Sequence, residues 1–219
     1  MLSIQQAEIM LSLQAAMNSK VDPDWIAAKY PYLRAVVIEG AEAIEHHGWK
    51  WWKKQDKDLA QLQMELIDIW HFVLSEILLD QAGDESKSLD RLLQMLATAH
   101  QQAEISFDSQ TYALEQLDLI SKLELLIALS ASRRIELAVF ASIMKDSEMD
   151  WTNLYCQYVG KNVLNFFRQD NGYKEGSYQK MWRGREDNEY LVDIMAELDP
   201  GDLEYQVKVY SALAQHYPG

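Results

Sequence analysis

Glu39-x-x-Glu42 and Glu65-x-x-Asp68 are the residues of this chain best suited to chemistry. Each pair is spaced i, i+3, so on a helix both carboxylates leave the same face one turn apart. Their neighbours are apolar or small: Ala35-Val36-Val37-Ile38 and Gly40-Ala41 around the first pair, Leu66-Ile67 and Ile69-Trp70 around the second. The carboxylates are therefore expected to point toward packed protein, where four anions repel one another and lose hydration. Such a cluster persists when cations sit among it or when the groups hold protons. Hard oxygen ligands of this kind suit Mg²⁺, which is held by a few carboxylates together with substrate phosphates and water. Metal-assisted attack on a nucleotide polyphosphate follows naturally. Acidic i, i+3 pairs are also common on solvated helix faces, so spacing alone leaves both readings open.

A second stretch carries complementary charge. Lys161, Arg168, Lys174, Lys180, Arg183 and Arg185 make residues 158–188 the one locally cationic segment of an acidic chain. Lys161, Asn165 and Arg168 recur at spacings of four and three and share a helix face. Lys and Arg there suit phosphate oxygens, and Asn165 offers a paired donor and acceptor to a base or sugar. The alternative is a solvated helix end with ordinary C-terminal cations. The regular interleaving of amides and aromatics favours a site. A Gly-bounded loop, Gly172–Gly184, is placed to close over phosphates and exclude water.

The elements that must position these groups read as helices throughout. Nine Gly and four Pro punctuate 219 residues, and β-branched runs with period-two alternation are scarce. Ser3-x-x-Gln6 reads as a capping box that opens a first helix, which exits at Asn18-Ser19-Lys20. A second starts with Pro31 as N1 and carries the first acidic pair to about Gly48. Trp49-Lys50-Trp51-Trp52-Lys53-Lys54 links it to a third, from about Asp58 to Asp80, which bears the second pair. Ser88–Ile105 reads as helix and Ser106–Gln110 as loop. Leu114–Leu129, Ile135–Lys145 and Trp151–Arg168 read as further helices, and Asp170-Asn171-Gly172 as a turn. A last helix is expected from Asp199-Pro200, as N-cap and N1, to about His216. The fold class is all-α: one helical-bundle domain over residues 1–219, with about eight to ten helices.

Composition narrows the function. The net charge of −14, from 20 basic and 34 acidic residues, argues against a general nucleic-acid surface, which needs a basic field. It leaves a nucleotide substrate open, because metal ions and local cations reverse the sign inside a cleft. The single cysteine, Cys156, excludes an internal disulfide framework and a Cys-based zinc site, and is expected to be a buried small hydrophobe. No apolar run approaches the ~20 residues that span a bilayer. Met1-Leu2-Ser3-Ile4-Gln5-Gln6 lacks the pattern of a signal peptide, so a cytoplasmic setting is expected. His46, His47 and His100 read as surface residues, and Glu45 as a supporting neighbour of Glu42. His71 reads as a packing group or one that steadies a ligand, and Trp51, Trp52 and Trp70 as core or dimer-interface residues.

The acidic pairs and the cationic block together resemble the all-α dimeric dUTPases, within the MazG-like superfamily of nucleotide pyrophosphohydrolases. The superfamily pattern of ExxE followed by ExxD is matched by Glu39-Gly40-Ala41-Glu42 and Glu65-Leu66-Ile67-Asp68. The more specific matches are Gln14-Ala15-Ala16-Met17-Asn18, Trp49-Lys50-Trp51-Trp52-Lys53, Asp68-Ile69-Trp70-His71-Phe72 and residues 158–188. Residues 84–145 have no motif-level match. The resemblance implies hydrolysis of dUTP, and of dUDP as well, to dUMP, limiting uracil incorporation into DNA. It implies two or more Mg²⁺ ions, replaceable by Mn²⁺, on Glu39, Glu42, Glu65 and Asp68, with Glu39 or Glu42 helping to orient the attacking water. Gln14, Asn18 and Trp49 would lie near the uracil, and Phe72 would pack on the deoxyribose. Lys161, Asn165, Arg168, Tyr173, Lys180 and Asn188 would hold base, sugar and phosphates, in a homodimer with no nucleic-acid or membrane partner. The alternative within the superfamily is another nucleotide, such as dCTP or a modified one.

Overall fold

The structure is a computed structural model that describes residues 2–199, 202 and 204–219. The chain opens with α1 (Ile4–Val21), whose capping box forms as expected: Ser3 Oγ accepts from Gln6 N at 3.1 Å, and Gln6 Oε1 accepts from Ser3 N at 3.0 Å. A single turn, α2 (Trp25–Ala28), leads to α3 (Tyr32–His47), which Pro31 precedes and Gly48 ends at φ +85°. Asp58 caps α4 (Leu59–Asp80), its side chain accepting from Gln61 N at 3.1 Å. Asp58 N also donates to His46 O at 2.8 Å, closing the α3–α4 hairpin at its neck.

The middle of the chain departs from the helical reading. α5 (Glu85–Gln101) is capped by Asp84 and stops short of Ile105. Glu104–Phe107 (β1) and Gln110–Ala113 (β2) pair antiparallel, with Ile105 opposite Tyr112. Asp108 and Ser109 both take positive φ, 48° and 61°, the backbone that a two-residue hairpin turn requires. The expected 106–110 loop is thus the tip of a hairpin, and Ile105, fully buried, anchors it to the core. Leu114–Gln116 forms a 3-10 turn, so the next helix, α6 (Leu119–Ala131), begins later than expected, where the Asp118 side chain accepts from Ser121 N at 2.8 Å. α7 (Leu137–Asp146) and α8 (Trp151–Asp170) follow.

Beyond α8, β3 (Met181–Trp182) and β4 (Arg185–Glu186) form a minimal hairpin. An unanticipated helix, α9 (Asp187–Glu197), starts on a capping box made by Glu186 and Glu189. The last helix, α10 (Tyr205–His216), is described from Tyr205, and the expected start at Pro200 lies outside the described residues. Among the described residues, ten α-helices and two short hairpins make this an all-α fold. Among the described residues no helix is long and apolar enough to cross a membrane.

α4 is the axis of the core, burying Leu62, Leu66, Ile69, Trp70, Val73, Leu74, Ile77 and Leu78 around its circumference. Trp70 stacks on Phe140 of α7 (5.3 Å, 15°) and meets Trp151 of α8 edge-on (5.5 Å). Each such ring takes roughly 150–250 Å² out of water, which ties three helices to one another. A second aromatic cluster fastens the 171–186 segment: Trp182 is fully buried, and Tyr178 stacks on Tyr217 (5.2 Å, 9°). Cys156 is half-buried rather than buried.

α3 lies against both α4 and α6. At Gly40, between the two glutamates of the first pair, a Cβ would stand 2.8 Å from Ile127 Cγ1 of α6. That approach requires a residue without a side chain. Gly40→Val is expected to destabilise the fold by about 1–3 kcal/mol through overpacking. Ile127→Ala in the same chain should cost less than the two single losses combined, and a double-mutant cycle in urea reads that coupling.

Candidate active site

The α3–α4 hairpin presents its acidic residues on one floor. Carboxylate oxygens of Glu39, Glu42 and Glu65 lie within 4.8 Å of one another. Glu42 is exposed, Glu39 half-buried, and Glu65 only 8% exposed. Burial first, then the charges of Asp68, Glu65 and Glu42, push the Glu39 carboxyl up to about 8. Burial and the charges of Asp68 and Glu42 push Glu65 up to about 7. A hydrogen bond between Glu39 and Glu65 is consistent with a proton held between them. Asp68 stands apart from this trio, its Oδ2 accepting from Lys161 Nζ at 3.0 Å.

α8 and the start of α9 form the opposite wall. Lys161 is 3% exposed and donates to Asn188 Oδ1 at 3.2 Å as well as to Asp68. Arg168 grips Asp187 with two bonds, Nε to Oδ2 and Nη2 to Oδ1, each 2.8 Å. It also donates to Asn165 Oδ1 (3.2 Å) and Asn188 Oδ1 (3.3 Å), and its Cζ lies 5.7 Å from the Tyr173 ring centroid. Burial would raise the Asp187 carboxyl, but bonds from Arg168 and Tyr178 overcome it and hold the group below the usual carboxylate range. Lys180, exposed, pairs with Glu186 at 3.1 Å.

Two joined cavities lie between the walls. One, of about 660 Å³, is faced by Glu39, Glu42, Glu65, Asp68, Glu186 and Glu189 with Lys161, Arg168 and Lys180. The other, of about 430 Å³, is lined by Gln14, Asn18, His71, Phe72, Ser75 and Asn165 together with aromatic rings from Trp25, Tyr30, Tyr32 and Tyr173. Glu39, Asp68, Lys161, Arg168 and Tyr173 line both.

The inner end of the second cavity is a closed hydrogen-bond network. Gln14 donates to Asn18 Oδ1 (3.0 Å) and Ser75 Oγ (2.9 Å), and its Oε1 accepts from Tyr158 OH (3.0 Å) and His71 Nδ1 (2.8 Å). Gln14 therefore has no free donor, and its role here is to set its neighbours. Burial pushes the His71 imidazole down to about 4, so it is neutral at pH 7. With its proton assigned to Nδ1 by the Gln14 oxygen, Nε2 is left as an acceptor. That Nε2 and the Asn18 Nδ2 are both buried without a partner.

A family model for dUTPase matches residues 6–173, three-quarters of the chain and the whole of the acidic floor. The chain belongs to the dUTPase family. No match is found among curated proteins. The activity that comes with the family is dUTP hydrolysis, which makes the protein a dUTP diphosphatase.

Within this dUTPase, Gln14, Asn18, Phe72, Lys161, Asn165, Arg168 and Tyr173 line the cavities, and Lys180 and Asn188 join from beyond the matched region. Trp49 does not. It sits in the 48–58 linker, donates from Nε1 to Glu45 Oε1 at 2.7 Å, and packs edge-on with Trp51 and Trp52 outside both cavities. Trp51 and Trp52 are 86% and 59% exposed, so neither is core, whereas Trp70 is. His46, expected at the surface, instead lines the acidic cavity with Nε2 3.3 Å from Glu65 Oε1. Asp187, Ser75, Tyr158 and Tyr178 were not singled out by the sequence. Ser75 had a signal, lying one turn after His71 on the same face of the helix.

The raised carboxyls fix a pH dependence. Groups whose folded pKa exceeds the unfolded value stabilise the fold below the unfolded range, and that stability is lost as pH rises through the folded value. In EDTA, stability should fall between about pH 4.5 and 8 on account of Glu65 and Glu39. Glu39→Gln should flatten that fall, as read by melting temperature across pH.

Proposed function

We propose that this dUTPase uses Mg²⁺ held on Glu39, Glu42, Glu65 and Asp68 to cut dUTP to dUMP and pyrophosphate, and dUDP to dUMP and phosphate. The observation that carries this reading is charge. Six carboxyl groups and three cations face the larger cavity. All three cations are already paired, Lys161 with Asp68, Arg168 with Asp187 and Lys180 with Glu186. A polyphosphate entering such a cleft meets net negative charge unless divalent cations accompany it. The donor set fits that group: hard carboxylate oxygens from two rigid helices, with the Glu39 and Glu65 carboxyls raised by burial and by their acidic neighbours. The number of carboxylates supports two or more ions, with Mn²⁺ as a substitute.

Held by Glu39, Glu42, Glu65 and Asp68, Mg²⁺ would supply neutralisation of phosphate charge and a lowered pKa for the attacking water. The chain does the rest. Glu39 or Glu42 accepts the proton of the attacking water and orients it. Lys161, with one N–H left after Asp68 and Asn188, donates to a phosphate oxygen. Arg168 does the same through Nη1. The Tyr173 ring and the exposed Lys180 close the outer side.

Uracil selection follows from the saturated Gln14. Asn18 Nδ2 offers a donor and His71 Nε2 an acceptor, which suits a ring carbonyl beside an imide N–H. Cytosine reverses that order, setting lone pair against lone pair and donor against donor. A site built around such bonds rejects the mismatch far more strongly than a hydrophobic pocket does. Phe72 packs where a ribose 2′-hydroxyl would project. Removal of dUTP in a cytoplasmic setting would limit uracil incorporation into DNA. The exposed Trp51 and Trp52, packed on the half-buried Trp49, support a homodimer, since contiguous apolar surface of this kind marks an interface. Light scattering is expected to give twice the chain mass, and Trp51→Ser with Trp52→Ser should shift it toward the monomer.

With Mg²⁺, purified protein is expected to release dUMP from dUTP, with kcat/KM for dUTP far above that for dCTP. Glu42→Gln should lower kcat by at least about 100-fold, the scale of losing one group that stabilises transition-state charge, while circular dichroism stays unchanged. Comparable turnover of dCTP would shift the reading to another pyrimidine nucleotide, and a folded protein without dUTP hydrolysis would remove it.

A further inference from the structure

We infer that Asp187 is a positioning residue that aims Arg168 at the phosphates of the substrate, an inference that rests on the polyphosphate reading of the cleft. A guanidinium has five N–H donors. Arg168 directs Nε and Nη2 at Asp187, the second Nη2 proton at Asn188, and one Nη1 proton at Asn165. One Nη1 proton is left over, in a side chain that lines both cavities. The two parallel bonds to Asp187 fix the plane of the guanidinium, and with it the direction of that last donor.

Asp187 is itself over-determined. It is fully buried, stands at the first turn of α9, and accepts from Tyr178 OH (2.8 Å) and Asn188 N (2.8 Å) besides Arg168. Its negative charge is favoured at a helix N-terminus. The adjacent Asn188 accepts from both Lys161 and Arg168, so one short segment sets the two cations together. Asp187 lies beyond residue 173, where the family match ends, so nothing in that match assigns it a role. Paired with Asp187, Arg168 carries little net charge into the cleft and acts as a fixed dipole, which needs no reorganisation when phosphate arrives.

A bond that only holds the fold together would affect every ligand of the cleft alike, whereas a bond that aims Arg168 would affect phosphates alone. Asp187→Asn keeps size and shape but replaces one acceptor by a donor that opposes Nη2. Calorimetry on the folded variant compares deoxyuridine, which lacks phosphates, with the non-hydrolysable α,β-imido-dUTP in Mg²⁺. The analogue is expected to bind about 10- to 100-fold more weakly than to wild type, the worth of a charge-assisted hydrogen bond, while deoxyuridine binds as before. Equal weakening of both ligands, or of neither, would overturn the inference. Should Asp187→Asn fail to fold, Tyr178→Phe removes one of the bonds that hold Asp187 and should give the same phosphate-selective loss at smaller size. A uniform loss in that variant would overturn the inference too. If wild type gains no affinity from the triphosphate over deoxyuridine, the polyphosphate reading itself fails and takes this inference with it.

Discussion

Four carboxyl groups forced together on the α3–α4 hairpin set the terms for the rest of the molecule. Their mutual repulsion and partial desolvation would open the hairpin if nothing opposed them. Three devices do so in the absence of a cation: the Glu39–Glu65 hydrogen bond, the Lys161 ammonium on Asp68, and His46 beside Glu65. Two of these lie within the hairpin, and only Lys161 comes from outside it, where α8 meets the hairpin at Asp68. The apolar side of α4 supplies the counterweight. With Trp70, Leu66, Ile69 and Leu74 fully buried behind the acids, the hairpin cannot relax outward without exposing its core.

Satisfaction of polar groups also shapes the Gln14 end of the cleft. A partly satisfied buried network would let amides flip and imidazole tautomers exchange. Here Tyr158 and His71 use the Gln14 oxygen and Asn18 and Ser75 use its nitrogen, so only Asn18 Nδ2 and His71 Nε2 have no partner. The pattern of free donor and acceptor at this end is therefore set by Gln14, whose own groups are all in use.

Much of this was legible in the chain because period and spacing carry it. The long helices, the cap at Ser3, and the coincidence of acidic pairs with apolar stripes all follow from local rules. What was not legible depends on distant partners. Asp187 and Arg168 are nineteen residues apart and meet only because Trp182 and Tyr178 fold the intervening segment back. His46 reads as solvated until the Asp58–His46 backbone bond turns α4 toward it. The 104–113 hairpin is too short for alternation to outweigh the helical pattern before it, and its turn uses Asp108 and Ser109 where Asn-Gly would have announced it. Trp49 misled for the opposite reason. Its motif is specific, but its indole is turned to Glu45 by the linker.

The segment expected to act as a free lid has the character of a wall. Its glycines sit at positive φ, at Gly172, Gly176 and Gly184, which sharpens the turns that a lid would need. Yet Trp182 is fully buried, Tyr178 stacks on Tyr217, and Tyr178 OH is bound to Asp187. Swinging this segment open would expose those rings and strip Arg168 of its main acceptor, leaving a buried guanidinium uncompensated. Closure is thus confined to the exposed stretch 173–177 and to side chains such as Lys180. Lys161 and Arg168 on the opposite wall are likewise held in place by their carboxylate and amide partners.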